Sequence, residues 1–388
     1  MPCDPRIPSA VMKIGLVARC LNTAHVRGMG RYLQELLLKS VQRPEIRWTL
    51  LGDNPTEPLH TPPGVAAQQA VFNFRGDRFR LWEQLGLPRR AAALGLDVLH
   101  CTEGSACWWQ PVPTVITLHD TIAWSENDGQ PFTRFYWNTL MPAALRKAAA
   151  VITISQHSRR DILARWPDLA PKLSVIPHGI GDEYLNPDFR PAAPVVQQGL
   201  QGQPYLVFLG GPAPRKRFDW ALQVLRQAGD SQLQLVACGF AQASHAQVME
   251  QVPRDLAQRV HLAPFLSNLE LLALYRGADA VLYPTLYEGF GFPAIEAQAA
   301  GVPAIFSPVS SLAELVGPLA FTPAVDDLAG WVQSVAQART LGSRRAELAA
   351  QAQQWAQGFS WLQSCQQHLA VYQSARAGCL LGRSGDSC

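Results

Sequence analysis

At 388 residues the chain is longer than one hydrophobic core usually supports, so two domains are the expectation. A hydrophobic share of 48% and a charged share of 16% describe a globular protein with apolar material for two cores. The formal net charge of +3, with a slight basic excess over the first 190 residues, gives no case for a nucleic-acid partner but could suit an anionic membrane surface. The eight cysteines form no C-x-x-C pair and no zinc spacing, and are expected to be reduced thiols. No stretch reaches the roughly 20 apolar residues that span a bilayer. The first apolar run is broken at Arg19, unlike a signal peptide, so a cytoplasmic location is expected.

Residues 1–12 read as a disordered extension, with Met12-Lys13-Ile14-Gly15 the more natural beginning. Lys13 to Arg19 predicts a buried strand, followed by a loop and a helix starting near Gly28-Met29-Gly30-Arg31-Tyr32. The third glycine of the dinucleotide fingerprint is replaced by Leu33, which argues against a hydride-transferring enzyme. Apolar runs at Trp48–Leu51, Asp97–Cys101, Val115–Leu118, Val151–Ile154 and Leu173–Ile176 alternate with helical patterns, which predicts a parallel sheet covered on both faces. Arg75 to Trp82 mixes arginines with aromatics: it could rest on a membrane surface, or Phe79 and Trp82 could pack inward. His119 closes a strand at the sheet end where ligands bind in open α/β folds. His178 reads as structural or cleft-lining. Ser155 predicts a helix cap.

Residues 191–203, rich in Pro, Gln and Gly, predict a linker between domains 13–190 and 204–360. Strand Tyr205–Leu209 then runs into Gly210-Gly211 and the cations Arg215, Lys216 and Arg217 before a helix. Cations at a helix start call for an offsetting anion, so this loop is a candidate diphosphate clamp. Further strands are expected at Leu233–Cys238, Val260–Ala263, Val281–Tyr283 and Gly301–Phe306. Between the last two lies Glu288-Gly289-Phe290-Gly291-Phe292-Pro293, opening a helix that carries Ile295 and Glu296. A strand, glycine loop and helix start aims backbone N–H groups and a positive dipole end at an anion, while carboxylates there suit hydroxyls. Phosphates and hydroxyls together describe a sugar nucleotide. A closing helix is expected at 361–377, with a disordered tail at 378–388.

The pair Glu288 and Glu296 in E-G-F-G-F-P-x-x-E resembles the signature of the retaining glycosyltransferases of family 4. Gly28 to Tyr32, His119-Asp120, Pro177-His178-Gly179, Arg215-Lys216 and Ser310-Ser311 to Glu314 resemble further segments of that family, so the likeness covers nearly all of residues 13–375. It implies the GT-B fold: two Rossmann-like, doubly wound α/β domains facing a cleft, with the last helix crossing back to the first. It also implies a nucleotide-sugar donor, bound by Gly28, Gly30, Gly210, Gly211, Arg215, Lys216, Gly289, Phe290, Gly291, Phe292, Ile295 and Glu296, with His119, Glu288, Arg215 and Lys216 at the chemistry. Glu296 would take the ribose hydroxyls and Glu288 hydroxyls of the donor sugar. No D-x-D motif is present, so no essential metal or other cofactor is expected. The G-M-G-R-Y and L-W-E-Q-L-x-L-P runs look most like bacterial mannosyl- or rhamnosyltransferases of surface polysaccharide assembly, favouring a GDP-linked donor and a glycan or lipid-linked acceptor. Glucose from UDP-glucose, another GT-B enzyme such as a phosphorylase or epimerase, and a catalytically idle sugar-nucleotide scaffold remain as alternatives.

Overall fold

The computed structural model describes residues 11–24, 26, 28–73, 78–126 and 130–384. Residues 1–10, Arg75–Asp77 and the end of the expected tail lie outside them, as does the side chain of Phe79. Two compact units result: one from the N-terminus to His178 plus Trp361 onward, the other Gly179–Ser360.

The first unit holds seven parallel strands, β1 (Met12–Val17), β2 (Ile46–Gly52), β3 (Ala67–Val71), β4 (Val98–Cys101), β5 (Thr114–Thr117), β6 (Ala150–Thr153) and β7 (Leu173–Val175), in the order β3-β2-β1-β4-β5-β6-β7. Ile14 pairs with Trp48 on one side and Val98 on the other. The central strands are buried on both faces because helices cover each side, which is why they read as unbroken apolar runs. One core packs Leu99, Ile116, Met141, Leu145 and Val151 around Trp82.

Helix Trp361–Ser384 belongs to this unit. The cysteine thiol of Cys365 lies on the Leu36 carbonyl, and the Tyr32 hydroxyl meets His368 Nε2 at 2.7 Å. The helix continues past Gly378, where a disordered tail was expected, as far as Ser384. Leu380, Leu381 and Arg383 are ordinary helix formers, and each of the two glycines near this helix end, Gly378 and Gly382, costs only about 1 kcal/mol.

The second unit has six parallel strands, β8 (Tyr205–Leu209), β9 (Gln234–Cys238), β10 (Val260–Leu262), β11 (Ala280–Leu282), β12 (Ala304–Ile305) and β13 (Ala320–Phe321), ordered β10-β9-β8-β11-β12-β13. Phe208, Leu235, Leu282 and Ile305 fill its core beneath Trp331. The chain enters this unit at Gly179, ahead of the linker expected at 191–203, and that stretch contains helix Val195–Gly199. Ile180 N–H donates to the Phe359 carbonyl at 2.9 Å, so entry and exit of the unit lie side by side. Among the described residues no helix is long and apolar enough to cross a membrane.

Candidate functional site

In the second unit the strand ends of β8 and β11 bring three charged residues together. Arg215 Nη1 lies 3.1 Å from Glu288 Oε1, and Lys216 Nζ donates to the same oxygen. Thr285 Oγ1 donates to it as well, at 2.7 Å. Lys216 also donates to the Tyr283 hydroxyl at 3.1 Å, and Arg215 to the Tyr287 carbonyl at 2.9 Å. Burial, then the neighbouring Glu288 charge, pushes the Tyr283 phenol well above its ordinary value, so it stays protonated. Two cations face one carboxylate here.

The glycine loop is held from behind. Glu288 N–H donates to Ser310 Oγ at 2.9 Å, and Ser311 Oγ donates to the carbonyls of Glu288 and Phe290 at 2.8 and 2.9 Å. Gly289 is buried, and Gly291 has φ +103°, where a Cβ would meet Leu312 at 2.4 Å. That left-handed turn leads into helix Phe292–Ala299, with Pro293 in its first turn. Phe290 and Phe292 meet edge to face at 5.1 Å, and Ile295 is fully buried. Glu296 is 1% exposed and accepts from the Tyr275 hydroxyl at 3.4 Å.

Gly211 (φ +68°) lies against the Gly239 carbonyl, 2.5 Å from where its Cβ would stand, and Gly210 against Phe208 and Lys216. Both glycines thus have a packing reason as well. Arg217 turns away from Glu288. It caps helix Phe218–Gln227 in the left-handed region, pairs with Asp326 at 2.9 Å and stacks over Trp220. Within the chain, Glu288 and Asp326 offset part of the positive charge at this helix start, two carboxylates against three cations.

In the first unit His119 stands two residues beyond β5. Its Nε2 lies 2.8 Å from the Thr102 carbonyl, which can only accept. The neutral ring therefore carries its proton on Nε2 and presents Nδ1 as an acceptor. Burial lowers its pKa, opposed by the Thr102 carbonyl and by Asp120 and Glu103. Tyr32 meets His119 edge-on at 5.6 Å and His178 at 4.9 Å, and Trp361 stacks beyond at 5.4 Å from His178. His178 is 3% exposed and held neutral by burial, a wall of this cluster. Gly30 lies where a Cβ would meet the Cys20 carbonyl at 2.8 Å, whereas Gly28 has open space around it. Close approach of the first helix explains only Gly30.

Residues 26–184 match the model of "Glycosyltransferase Family 4" and residues 203–341 that of "Glycosyl transferases group 1", together well over half of the chain. The chain belongs to glycosyltransferase family 4. Among curated relatives of this glycosyltransferase, O-antigen chain mannosyltransferase B of Escherichia coli is 26% identical over 66% of this chain and 69% of its own length. The MMP alpha-(1->4)-mannosyltransferase of Mycolicibacterium hassiacum is 29% identical over 60% of this chain and 56% of its own. The solved structure of HepE from Anabaena in complex with UDP and glucose is 18% identical, with a TM-score of 0.71 over 94% of this chain and all of that one. Sucrose-phosphate synthase from Thermosynechococcus elongatus is 20% identical, with a TM-score of 0.69 over 95% of this chain and all of that one. Those likenesses establish the GT-B fold for the enzyme.

Several neighbours of the site in this glycosyltransferase were not read as such from the sequence: Thr285 beside Glu288, Tyr275 on Glu296 and Trp361 beside His178, while Tyr283 was read only as a strand end and Tyr32 only as part of the segment from Gly28 to Tyr32. Thr285 carries a local signal, three residues before Glu288. Tyr275 is 21 residues from Glu296, Tyr283 is 67 from Lys216 and Tyr32 is 336 from His368, separations that no local pattern records.

Proposed function

We propose that the chain transfers a mannosyl residue from a GDP-linked donor to a growing or lipid-linked glycan, with retention at the anomeric carbon and without a divalent metal. The observation that carries this reading is the convergence of Arg215 and Lys216 on Glu288 at the mouth of the glycine loop, which leaves positive charge in excess there. A departing diphosphate gains charge in the transition state, and fixed cations beside a helix N-terminus stabilise it without reorganising. Glu288 is assigned to hydroxyls of the donor sugar, oriented in advance by Thr285, Lys216 and Arg215. Glu296, aligned by Tyr275, is assigned to the ribose hydroxyls.

His119, with its Nε2 proton fixed on Thr102, is fitted to accept a hydrogen bond from a sugar hydroxyl at Nδ1. A carboxylate whose charge is offset by two cations is a weakened nucleophile. Retention is therefore assigned to front-face attack, assisted by the leaving phosphate, rather than to double displacement on Glu288. The mannosyl assignment follows the mannosyltransferases among the relatives. HepE, solved with UDP and glucose, supports the second reading, a UDP-glucose donor.

The test is donor consumption by the purified chain in EDTA, with GDP-mannose and UDP-glucose compared. Consumption of GDP-mannose alone is expected. Consumption of UDP-glucose alone would overturn the donor, and activity only on adding magnesium or manganese would overturn the metal-free clamp.

A further inference from the structure

Trp108 and Trp109 stand side by side in the loop between β4 and β5, 46% and 43% exposed, whereas every other described tryptophan is buried or half-buried. The loop is fixed. Trp108 N–H donates to Gln84 Oε1 at 2.9 Å, and Gln110 Nε2 donates to the carbonyls of Cys107 and Ala144 at 3.1 and 3.0 Å. Each exposed ring lies against a cation: Lys147 Nζ is 3.6 Å from the Trp108 ring centre, and the Arg89 guanidinium is 5.8 Å from that of Trp109. Among the described residues neither Lys147 nor Arg89 forms an ion pair. Leu85, 38% exposed, adds apolar surface next to Arg89, whose side chain donates to its carbonyl. An open cavity of about 380 Å³ adjoins, with Lys147 in its wall beside Val112, Pro113 and Ala375.

Held tryptophans that keep half their surface in water beside unpaired cations suit one environment well. At the headgroup level of a bilayer, indole rings bury their faces while keeping N–H groups wet, and cations find lipid phosphates. Charge complementarity therefore selects an anionic surface. We infer that this face of the first unit docks on an anionic phospholipid surface, with Trp108 and Trp109 at headgroup depth and Lys147 and Arg89 on lipid phosphates. In the Arg75–Trp82 run, read from the sequence as able to rest on a membrane surface or to pack inward, Trp82 packs inward, and the Phe79 side chain lies outside the described residues. Trp82 is 1% exposed, stacks on Phe72 at 5.1 Å and donates its ring N–H to the Phe72 carbonyl.

The inference does not rest on the donor assignment, and its test reads lipid alone. The full chain is sedimented with vesicles of phosphatidylcholine, or of phosphatidylcholine mixed with phosphatidylglycerol, at low and high salt. Salt-sensitive binding to the phosphatidylglycerol vesicles only is expected. Lys147→Glu and Arg89→Glu should each weaken it by at least about five-fold, the effect of losing one basic residue near the surface. The double variant Trp108→Ala, Trp109→Ala should lose binding at either salt, while Phe265→Ala, which removes a 51% exposed aromatic of the second unit, should bind as the parent does. Melting curves of all variants establish that they are folded, and the charge variants keep the test decisive if the tryptophan variant is not. Absence of binding to anionic vesicles, binding unchanged in the charge variants, or equal loss in Phe265→Ala would each overturn the inference.

Discussion

Lys216 and Arg215 converge on one oxygen of Glu288, so each of the three holds the others in place. Removing the Lys216 ammonium takes away a charge that the departing diphosphate would feel and loosens the Glu288 carboxylate. Removing Glu288 leaves two cations facing each other at short range. Both Lys216→Ala and Glu288→Ala should therefore lose two or more decades of kcat, on the order of 3 kcal/mol. Single-turnover rates near those of the parent in either variant would sink the assignment. Arg217 carries a different expectation. Because it stacks on Trp220 and pairs with Asp326, Arg217→Ala should act on the stability of the second unit and leave kcat within a few-fold, roughly the reach of an indirect change of 1 kcal/mol.

The closing helix is tied to the first sheet by a buried, uncharged chain of rings and hydroxyls. His368 Nδ1 donates to the Ser364 carbonyl at 2.7 Å, so its Nε2 accepts from Tyr32. His100 bridges Thr117 and Tyr372, at 2.7 Å to each. Burial holds His368 down to about 4 from an ordinary 6.5, and His100 well below it. Between pH 6.5 and 4 the unfolded chain takes up a proton that the folded chain refuses. Stability is full above about pH 6.5 and falls as pH drops towards 4, by about 3 kcal/mol for His368. Melting temperatures that stay level across that range would contradict this account.

At the same scale, the sequence showed its limits element by element. Runs such as Tyr205–Leu209 were legible because strands buried on both faces carry apolar residues without interruption. Strand β3 was not, because Gln68 and Gln69 lie on an exposed edge, and β13 is only two residues long. The Glu288 loop was legible as a local strand, glycine loop and helix start. Its lateral supports were not, since Tyr275 reaches Glu296, and Lys216 reaches Tyr283, only through tertiary packing.

The chain leaves the first unit after His178 and returns at Trp361, so the second unit is one continuous segment and the first is not. Residues 179–360 hold a complete six-stranded sheet with its own core and ends joined at Ile180 and Ser360, and should unfold cooperatively as an isolated fragment. Residues 1–178 alone expose Tyr32 and His100 where Leu369, Tyr372 and His368 would cover them, and should not unfold cooperatively until residues 361–388 are joined to them. Circular dichroism melts of the two fragments decide between these outcomes. If the second unit clamps a nucleotide diphosphate through Arg215, Lys216 and the glycine loop without metal, the nucleotide alone should stabilise the fold. The most direct measurement is the thermal shift of the intact chain and of Lys216→Ala with GDP, UDP, TDP and ADP in EDTA. A nucleotide at a hundred times its dissociation constant adds about 2.7 kcal/mol to the folded state, a visible shift. Stabilisation of the parent by GDP above the other three, largely lost in Lys216→Ala, is the result predicted; a folded parent that none of the four stabilises, or a shift unchanged in Lys216→Ala, would contradict it.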